Sequence, residues 1–401
     1  MTKNKDINST FKFFLISRAM RSVSLVFVTL ALPLYLFILH YNVISIGIIY
    51  LVIISFNALL SVFLGALGDR LGYKKSLIIG EIFPIIALIM LSSSTNFFII
   101  VIAAVLGGIT GVAGGMRGVF SPGSTALIVS NWKDQKERVK RLAETSYVGS
   151  AFAIGGSMLL YAIGFISGYV GSIGSFRIFF AISALLIIIS MISLLFVEEV
   201  RRPKKTTRIM KKSSAKYSIK IIVANLFNGF GLGIALPLLP LWFELRFGVS
   251  ISNISILYTV SYAATAIASY LAAKRAYHSR FSTLFTASYT RTLQGVMLIV
   301  MAFSPLFILS IFFFTIRSFI AGFGSPSRSA VNMNGVNSQD YGTASSIMGL
   351  SNRLSQTSSG LSGYMMDVYL PFPVLMGGIL QTFGGFIYYK VLLPRKKRSY
   401  K

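Results

Sequence analysis

The stretch SIGIIYLVIISFNALLSVFLGALGDRLGYKKSL (residues 45–77) decides the fold. Its first part, residues 45–68, contains no charged side chain, and about 20 apolar residues are enough for a helix to cross a bilayer. A short charged loop follows, and a further apolar run begins directly after it. This pattern predicts two membrane-spanning helices joined by a tight polar loop.

The same alternation continues along the whole chain. The 401 residues are 54% apolar and only 12% charged, with a mean hydropathy of +0.73, whereas a soluble domain carries about 25% charged residues. We therefore predict an all-α membrane protein with twelve transmembrane helices in two pseudo-symmetric six-helix bundles. The predicted spans are 12–39, 45–68, 74–95, 97–129, 142–166, 176–197, 217–243, 251–273, 282–303, 305–330, 343–366 and 369–393.

The formal net charge of +27 reflects membrane orientation rather than nucleic-acid binding. Most of the Lys and Arg residues fall in the two tails and in every second loop, which is the positive-inside pattern. We expect a multi-pass protein of a prokaryotic plasma membrane with both termini in the cytoplasm and its positive charges next to lipid head groups. The chain has no cysteine. We expect no cofactor, no metal site, no nucleic-acid partner, and a monomer in the bilayer.

The longest polar interruption lies near the middle of the chain. It reads EEVRRPKKTTRIMKKSSAKYSIK (198–220) and separates six predicted spans from six others. The predicted organisation is an N-terminal bundle (1–197), a cytoplasmic linker (198–216) and a C-terminal bundle (217–401).

The two halves resemble each other at two landmarks. ALPLYLF (31–37) matches PLLPLWF (237–243), which places Pro33 and Pro240 207 residues apart. VFSPGSTA (119–126) matches FGSPSRSA (323–330), with Pro122 and Pro326 204 residues apart. Such repeats place a transporter's substrate site at their interface, near the middle of the membrane.

The repeat pairs two arginines in one half with two asparagines in the other. Arg18 and Arg21 lie three residues apart in the first span, and a shift of 207 residues leads to Asn225 and Asn228. Side chains three apart lie on the same side of a helix. We therefore expect two polar stripes that face each other and avoid lipid.

The loop between the second and third spans, LGALGDRLGYKKSL (64–77), resembles the signature loop of the major facilitator superfamily. The positions that fill its pattern are Gly65, Asp69, Arg70, Gly72, Lys74 and Lys75. The resemblance implies a secondary transporter in which two six-helix halves rock about a central site. It also implies that the loop is a conformational latch, with Asp69 in contact with the other half. The alternative is that Asp69 and Arg70 only cap the second helix.

Six arginines lie well inside predicted spans, away from the span ends, and acidic residues are far fewer. The arginines are Arg18, Arg21, Arg117, Arg291, Arg317 and Arg353. An arginine at mid-bilayer usually faces the bundle interior or water, and its planar fork of donors suits carboxylate, sulfate or phosphate. Alternatives remain for several of them: Arg18 and Arg21 could reach lipid phosphates, and Arg117 could pair with Glu81.

We predict a secondary transporter for a small anionic solute, with no enzymatic activity. Arg18, Arg21, Arg117 and Arg317 would line the anion path, with Asn225 and Asn228 opposite. Glu81 is the candidate for proton coupling, and a proton or a counter-anion could accompany the solute. One alternative is an exporter of amphiphilic or drug-like compounds by proton antiport. A second, a membrane sensor or membrane enzyme, lacks any recognisable sequence signature.

Overall fold

The computed structural model describes residues 2–108, 120–132, 134–200, 210–275, 282–337 and 340–393, and these residues are almost entirely helical. The first half contains α1 (Thr2–Ile38), α2 (Val43–Leu71), α3 (Tyr73–Ser93), α4 (Phe97–Gly107), α5 (Phe120–Asn131) and α6 (Gln135–Leu195). The second half contains α7 (Lys212–Ala235), α8 (Leu239–Phe247), α9 (Ile251–Arg275), α10 (Thr283–Ala302), α11 (Phe307–Met333), α12 (Tyr341–Ser355), a 3₁₀ turn (Gln356–Ser359), α13 (Gly360–Val368) and α14 (Phe372–Leu392).

Seven helices in the described part of the chain are long and apolar enough to cross a membrane. One of them, α6, has 61 residues, far more than the roughly 20 residues that one crossing of a bilayer requires. Its backbone is non-helical at Gly171, where φ is 74°. The kink divides α6 into the two spans that the sequence predicts at 142–166 and 176–197.

Three other predicted spans are built from shorter helices. The span at 97–129 corresponds to α4 and α5, on either side of residues 109–119, which lie outside the described part of the chain. The span at 217–243 is interrupted between α7 and α8, where Pro240 lies in the first turn of α8. Proline lacks the backbone donor that an uninterrupted helix needs. The span at 343–366 is divided by the 3₁₀ turn.

Glycine allows helices within each half to approach closely. A Cβ atom added at Gly156 would lie 2.6 Å from the carbonyl oxygen of Val23, so α6 and α1 are in backbone contact. In the second half, a Cβ atom at Gly295 would lie 2.6 Å from the carbonyl oxygen of Gly378, between α10 and α14. No hydrophobic driving force acts between helices in lipid, so their association depends on the close packing that small residues permit.

The two halves also meet through glycine, at one end of the bundle. A Cβ atom at Gly47 on α2 would lie 2.9 Å from the backbone nitrogen of Gly363 on α13. Between α6 and α9, the hydroxyls of Ser157 and Thr259 are 2.8 Å apart. We call the end of the bundle that contains these two contacts the closed end. The connection between α1 and α2 (residues 39–42) lies at this end.

We expect Gly47→Ala to loosen the closed end, because the added methyl group would press on backbone rather than on a flexible side chain. Overpacking of this kind costs roughly 1–3 kcal/mol, so the closed arrangement should lose at least about fivefold in population. The cysteine-free chain permits a direct measurement. Ser150 lies in the wall of a cavity between the two halves. A single Ser150→Cys should react faster in the Gly47→Ala variant than in the unmodified background when an impermeant thiol reagent is applied from the closed side.

Gly168→Ala is the matched control for this measurement. It lies on α6, and a Cβ atom added there has nothing within 4 Å, so labelling should not change. Equal labelling rates in both variants would show that the Gly47 contact does not hold this end closed.

Candidate functional site

A cavity of about 620 Å³ lies between the two halves. The described part of the first half contributes residues of α1 and α6 to its wall, and the second half contributes α7 to α12 and α14. The wall extends from Leu30 and Leu239 to Asn332 near the end of α11. The cavity is therefore an interface chamber of the kind that the internal repeat predicts.

Four arginines line this cavity: Arg18, Arg291, Arg317 and Arg328. None of the described residues of its wall is an aspartate or a glutamate. Arg18, Arg291 and Arg317 are 1%, 5% and 6% exposed. The described part of the cavity wall therefore carries positive charge that no carboxylate within it balances.

Arg18 is held against the first half by the backbone of α6. Its Nε donates to the carbonyl oxygen of Thr145 at 3.4 Å, and its guanidinium occupies the space that a side chain at Gly149 would need. One terminal nitrogen of Arg18 has no hydrogen-bond partner among the described residues. Glycine at position 149 is thus what allows Arg18 to lie flat on α6 while it faces the cavity.

The three arginines of the second half lie on α10 and α11. Arg291 stacks on the ring of Tyr388, with its guanidinium carbon 4.0 Å from the ring centroid. Arg317 lies 5.8 Å from the ring centroid of Phe314. Arg328 donates to the carbonyl oxygen of Ala321 at 2.7 Å. Stacking on an aromatic ring leaves the N–H donors at the guanidinium edge available.

A chain of amides completes the wall on the side of the second half. The Gln381 amide nitrogen lies 3.3 Å from Oδ1 of Asn228 and 3.4 Å from Oε1 of Gln294. Gln294 in turn donates to the carbonyl oxygen of Thr290 at 2.9 Å. The network ties α7, α10 and α14 together next to the arginines.

Arg21 does not lie among the cavity-lining residues, contrary to its predicted place in the anion path. It forms a buried ion pair with Glu81 on α3. Ser190 donates to the other oxygen of Glu81 at 2.9 Å, and the hydroxyls of Ser190 and Ser17 are 2.8 Å apart. Residues three apart on a helix diverge by about 60° around its axis, so Arg18 faces the cavity while Arg21 faces α3.

The two asparagines separate in the same way. Asn228 lines the cavity and Asn225 does not. One residue of each pair, Arg18 and Asn228, therefore lines the cavity. The 207-residue shift equates Arg18 with Asn225, so these two lining residues are not equivalent positions of the repeat. Arg317 lies in the wall as predicted, whereas Arg117 falls outside the described residues.

The signature loop is fixed to its own half. Gly72, with φ of 102°, immediately precedes α3. The first two backbone N–H groups of α3, those of Tyr73 and Lys74, donate to the Glu199 carboxylate at 2.7 and 3.0 Å. A carboxylate at a helix N-terminus is favourable. Lys74 donates to the carbonyl oxygen of Leu195 at 2.7 Å.

The remaining positions of the loop differ in what the structure describes. Gly65 has open space around it, Arg70 and Lys75 are exposed, and the Asp69 side chain lies outside the described residues. The latch role of the loop stays a prediction.

Arg328 is the functional candidate that sequence reasoning missed, and Arg291 is one that it did not place in the anion path. Arg328 follows Pro326 near the end of a predicted span, but α11 continues through this proline to Met333. The signal was present in the sequence, because SPSRSA (325–330) places Arg328 inside the predicted span 305–330.

We expect Glu81→Gln to destabilise the protein by about 3–5 kcal/mol, because Arg21 would remain buried without its counter-charge. The double variant Arg21→Gln/Glu81→Gln should recover part of this loss. The measurement is chemical unfolding of the purified protein in detergent.

Glu144→Gln is the control, since its pair with Arg141 is partly exposed and such pairs contribute at most about 1 kcal/mol. If Glu81→Gln lost no more stability than Glu144→Gln, the buried pair would not be a structural tie between α1 and α3.

The described helices and the charged interface chamber define a polytopic membrane protein of the transporter type. The sequence profile of the Major Facilitator Superfamily matches residues 14–360, and the chain belongs to this family. It is accordingly a secondary transporter that works by alternating access, and the family indicates a transporter rather than an enzyme.

Solved structures of other family members share the fold. One is a bacterial homolog of the human lysosomal transporter Spinster, in an inward-facing and unoccupied conformation, with a TM-score of 0.70 and 13% identity over 96% of this chain and 97% of that one. Another is an auto-inhibited peptide transporter of the POT family, with a TM-score of 0.76 and 10% identity over 98% of both chains. No curated protein matches the chain. At these identities the likeness concerns the fold alone.

Proposed function

We propose that the transported solute is a small anion that binds in the interface cavity. The observation that carries this proposal is the composition of the cavity wall, where four arginines occur and no described lining residue is acidic. The cavity volume of about 620 Å³ suits a small molecule, since ligand sites typically enclose about 300–1,000 Å³.

The energetics of buried charge support an anionic ligand. Each arginine in a membrane span costs about 2.5–3.5 kcal/mol on insertion scales, and the cost falls when a counter-charge is present. Arg21 has such a counter-charge in Glu81, whereas Arg18 and Arg317 face the cavity with a nitrogen that has no partner among the described residues. An anion in the cavity would supply both the charge and the acceptors, through short charge-assisted hydrogen bonds.

The distribution of the arginines fits alternating access. Arg18 belongs to the first half, and Arg291, Arg317 and Arg328 belong to the second. A bound anion would therefore contact both halves at once and reduce the repulsion between their charges. This would favour rocking of the loaded protein over rocking of the empty one.

We propose the cellular setting from the charge pattern. The basic tails and loops favour a prokaryotic plasma membrane, with both termini in the cytoplasm and the closed end outside. A monomer is the expected functional unit, and its further partners are the lipid bilayer and a proton or counter-anion. Glu81 is the candidate for proton coupling through its ion pair with Arg21.

The test is uptake into proteoliposomes of a panel of small carboxylates, sulfonates and phosphates. We expect at least one anion to be transported and Arg317→Gln and Arg18→Gln to weaken its binding by about 10- to 100-fold. A hydrogen bond to a charged group contributes about 1.5–3 kcal/mol.

Arg246→Gln removes the same charge from an exposed position at the end of α8 and should leave anion uptake unchanged. Anion transport that is unaffected by Arg317→Gln and Arg18→Gln would contradict the proposal. Transport of amphiphilic cations or neutral compounds without any anion would favour the alternative of drug efflux by proton antiport.

A further inference from the structure

Among the described residues of the cavity wall, the cationic side chains are unevenly divided between the halves. Three of the four lining arginines lie on α10 and α11 of the second half. Arg291 lies on α10, which packs against α11, the helix that carries Arg317 and Arg328. Thr290 connects two of these positions, because it is adjacent to Arg291 and its hydroxyl lies 3.5 Å from a terminal nitrogen of Arg328. The three arginines therefore line the same cavity from two adjacent helices, and we call them the α10–α11 cluster.

Several donors of the α10–α11 cluster have no acceptor. Nε and one terminal nitrogen of Arg291, and Nε of Arg317, are buried without a hydrogen-bond partner among the described residues. Both side chains are more than nine-tenths buried and both line the cavity. A buried N–H group that lacks an acceptor costs about 1–3 kcal/mol. The cluster is thus prepared for a ligand with several acceptor atoms close together.

We propose that the α10–α11 cluster binds a doubly charged oxyanion group, namely the phosphoryl group of a phosphate monoester, a phosphonate or inorganic phosphate. This inference rests on the proposed anion transport and specifies its substrate class. A phosphoryl group carries about −1.5 to −2 charges at pH 7 and presents three acceptor oxygens on one atom. A carboxylate offers two oxygens and a single charge, so it would leave most of the repulsion within the cluster uncompensated.

The wall next to the cluster suits an organic body on the phosphoryl group. The rings of Tyr258 and Tyr262 are 6.0 Å apart, and the Tyr258 and Phe314 rings are 5.4 Å apart in an edge-to-face arrangement. All three side chains line the cavity. Aromatic surfaces of this kind bury apolar or ring-shaped groups favourably. An organic phosphate would therefore use both parts of the wall, and inorganic phosphate only the cluster.

The experiment compares three ligands that have the same phenyl body. Phenylphosphonate has three oxygens and two charges, benzenesulfonate has three oxygens and one charge, and benzoate has two oxygens and one charge. Binding to the purified full-length protein is measured by calorimetry at constant ionic strength, at a pH that fully ionises the phosphonate. Inorganic phosphate is measured in parallel, to distinguish recognition of the phosphoryl group alone from recognition of an organic phosphate.

We expect phenylphosphonate to bind at least about tenfold more tightly than either monoanion, which corresponds to about 1.4 kcal/mol. Arg291→Gln should reduce this preference to about threefold or less, whereas the exposed Arg246→Gln should keep it. Since Arg291→Gln could impair folding, the comparison of the three ligands on the unmodified protein is itself decisive.

Equal affinity for the three ligands would overturn the phosphoryl proposal and leave anion transport in place. Binding of none of the anions, in a protein that binds or transports neutral or cationic compounds, would overturn the proposed function as well.

Discussion

A guanidinium group inside an apolar helix bundle requires an acceptor, a counter-charge or water, and this requirement governs the interior of the transporter. Arg21 meets it with the carboxylate of Glu81, which joins α1 to α3 inside the first half. Arg18 meets it in part with the carbonyl oxygen of Thr145 and otherwise faces the cavity. Two arginines of one helix thus have different surroundings, one paired inside the first half and one facing the cavity, because they point to different neighbours.

Close backbone contact is the second constraint, and it depends on glycine. Gly156 allows α6 to approach α1, and Gly295 allows α10 to approach α14. These contacts lie within the halves, so they hold neighbouring helices of each half closely together. Gly47 and Gly363 make a contact of the same type between the halves. That contact has to separate when the closed end opens, so it must be close without being extensive.

The unequal charge of the described parts of the two cavity walls bears on how a substrate would move through the protein. A ligand held by the three arginines of α10 and α11 would stay with the second half during rocking, while Arg18 approaches or leaves it with the first half. The charge on the ligand would then decide how strongly the two halves attract each other across the cavity. A multiply charged ligand could bridge both walls, which a singly charged one does less well.

The amino-acid sequence by itself determined the class of the protein and the approximate position of most of its helices. Length and apolarity are properties of a segment alone, so they can be recognised without knowledge of any neighbour. The signature loop at 64–77 indicated the family for the same reason, since its pattern is local. Only the tertiary structure decided which arginines face the cavity, because that depends on helix rotation and on the helices that lie beside each position. It paired Arg21 with Glu81 and brought Arg291 and Arg328, which the sequence had not placed in the anion path, into the cavity wall.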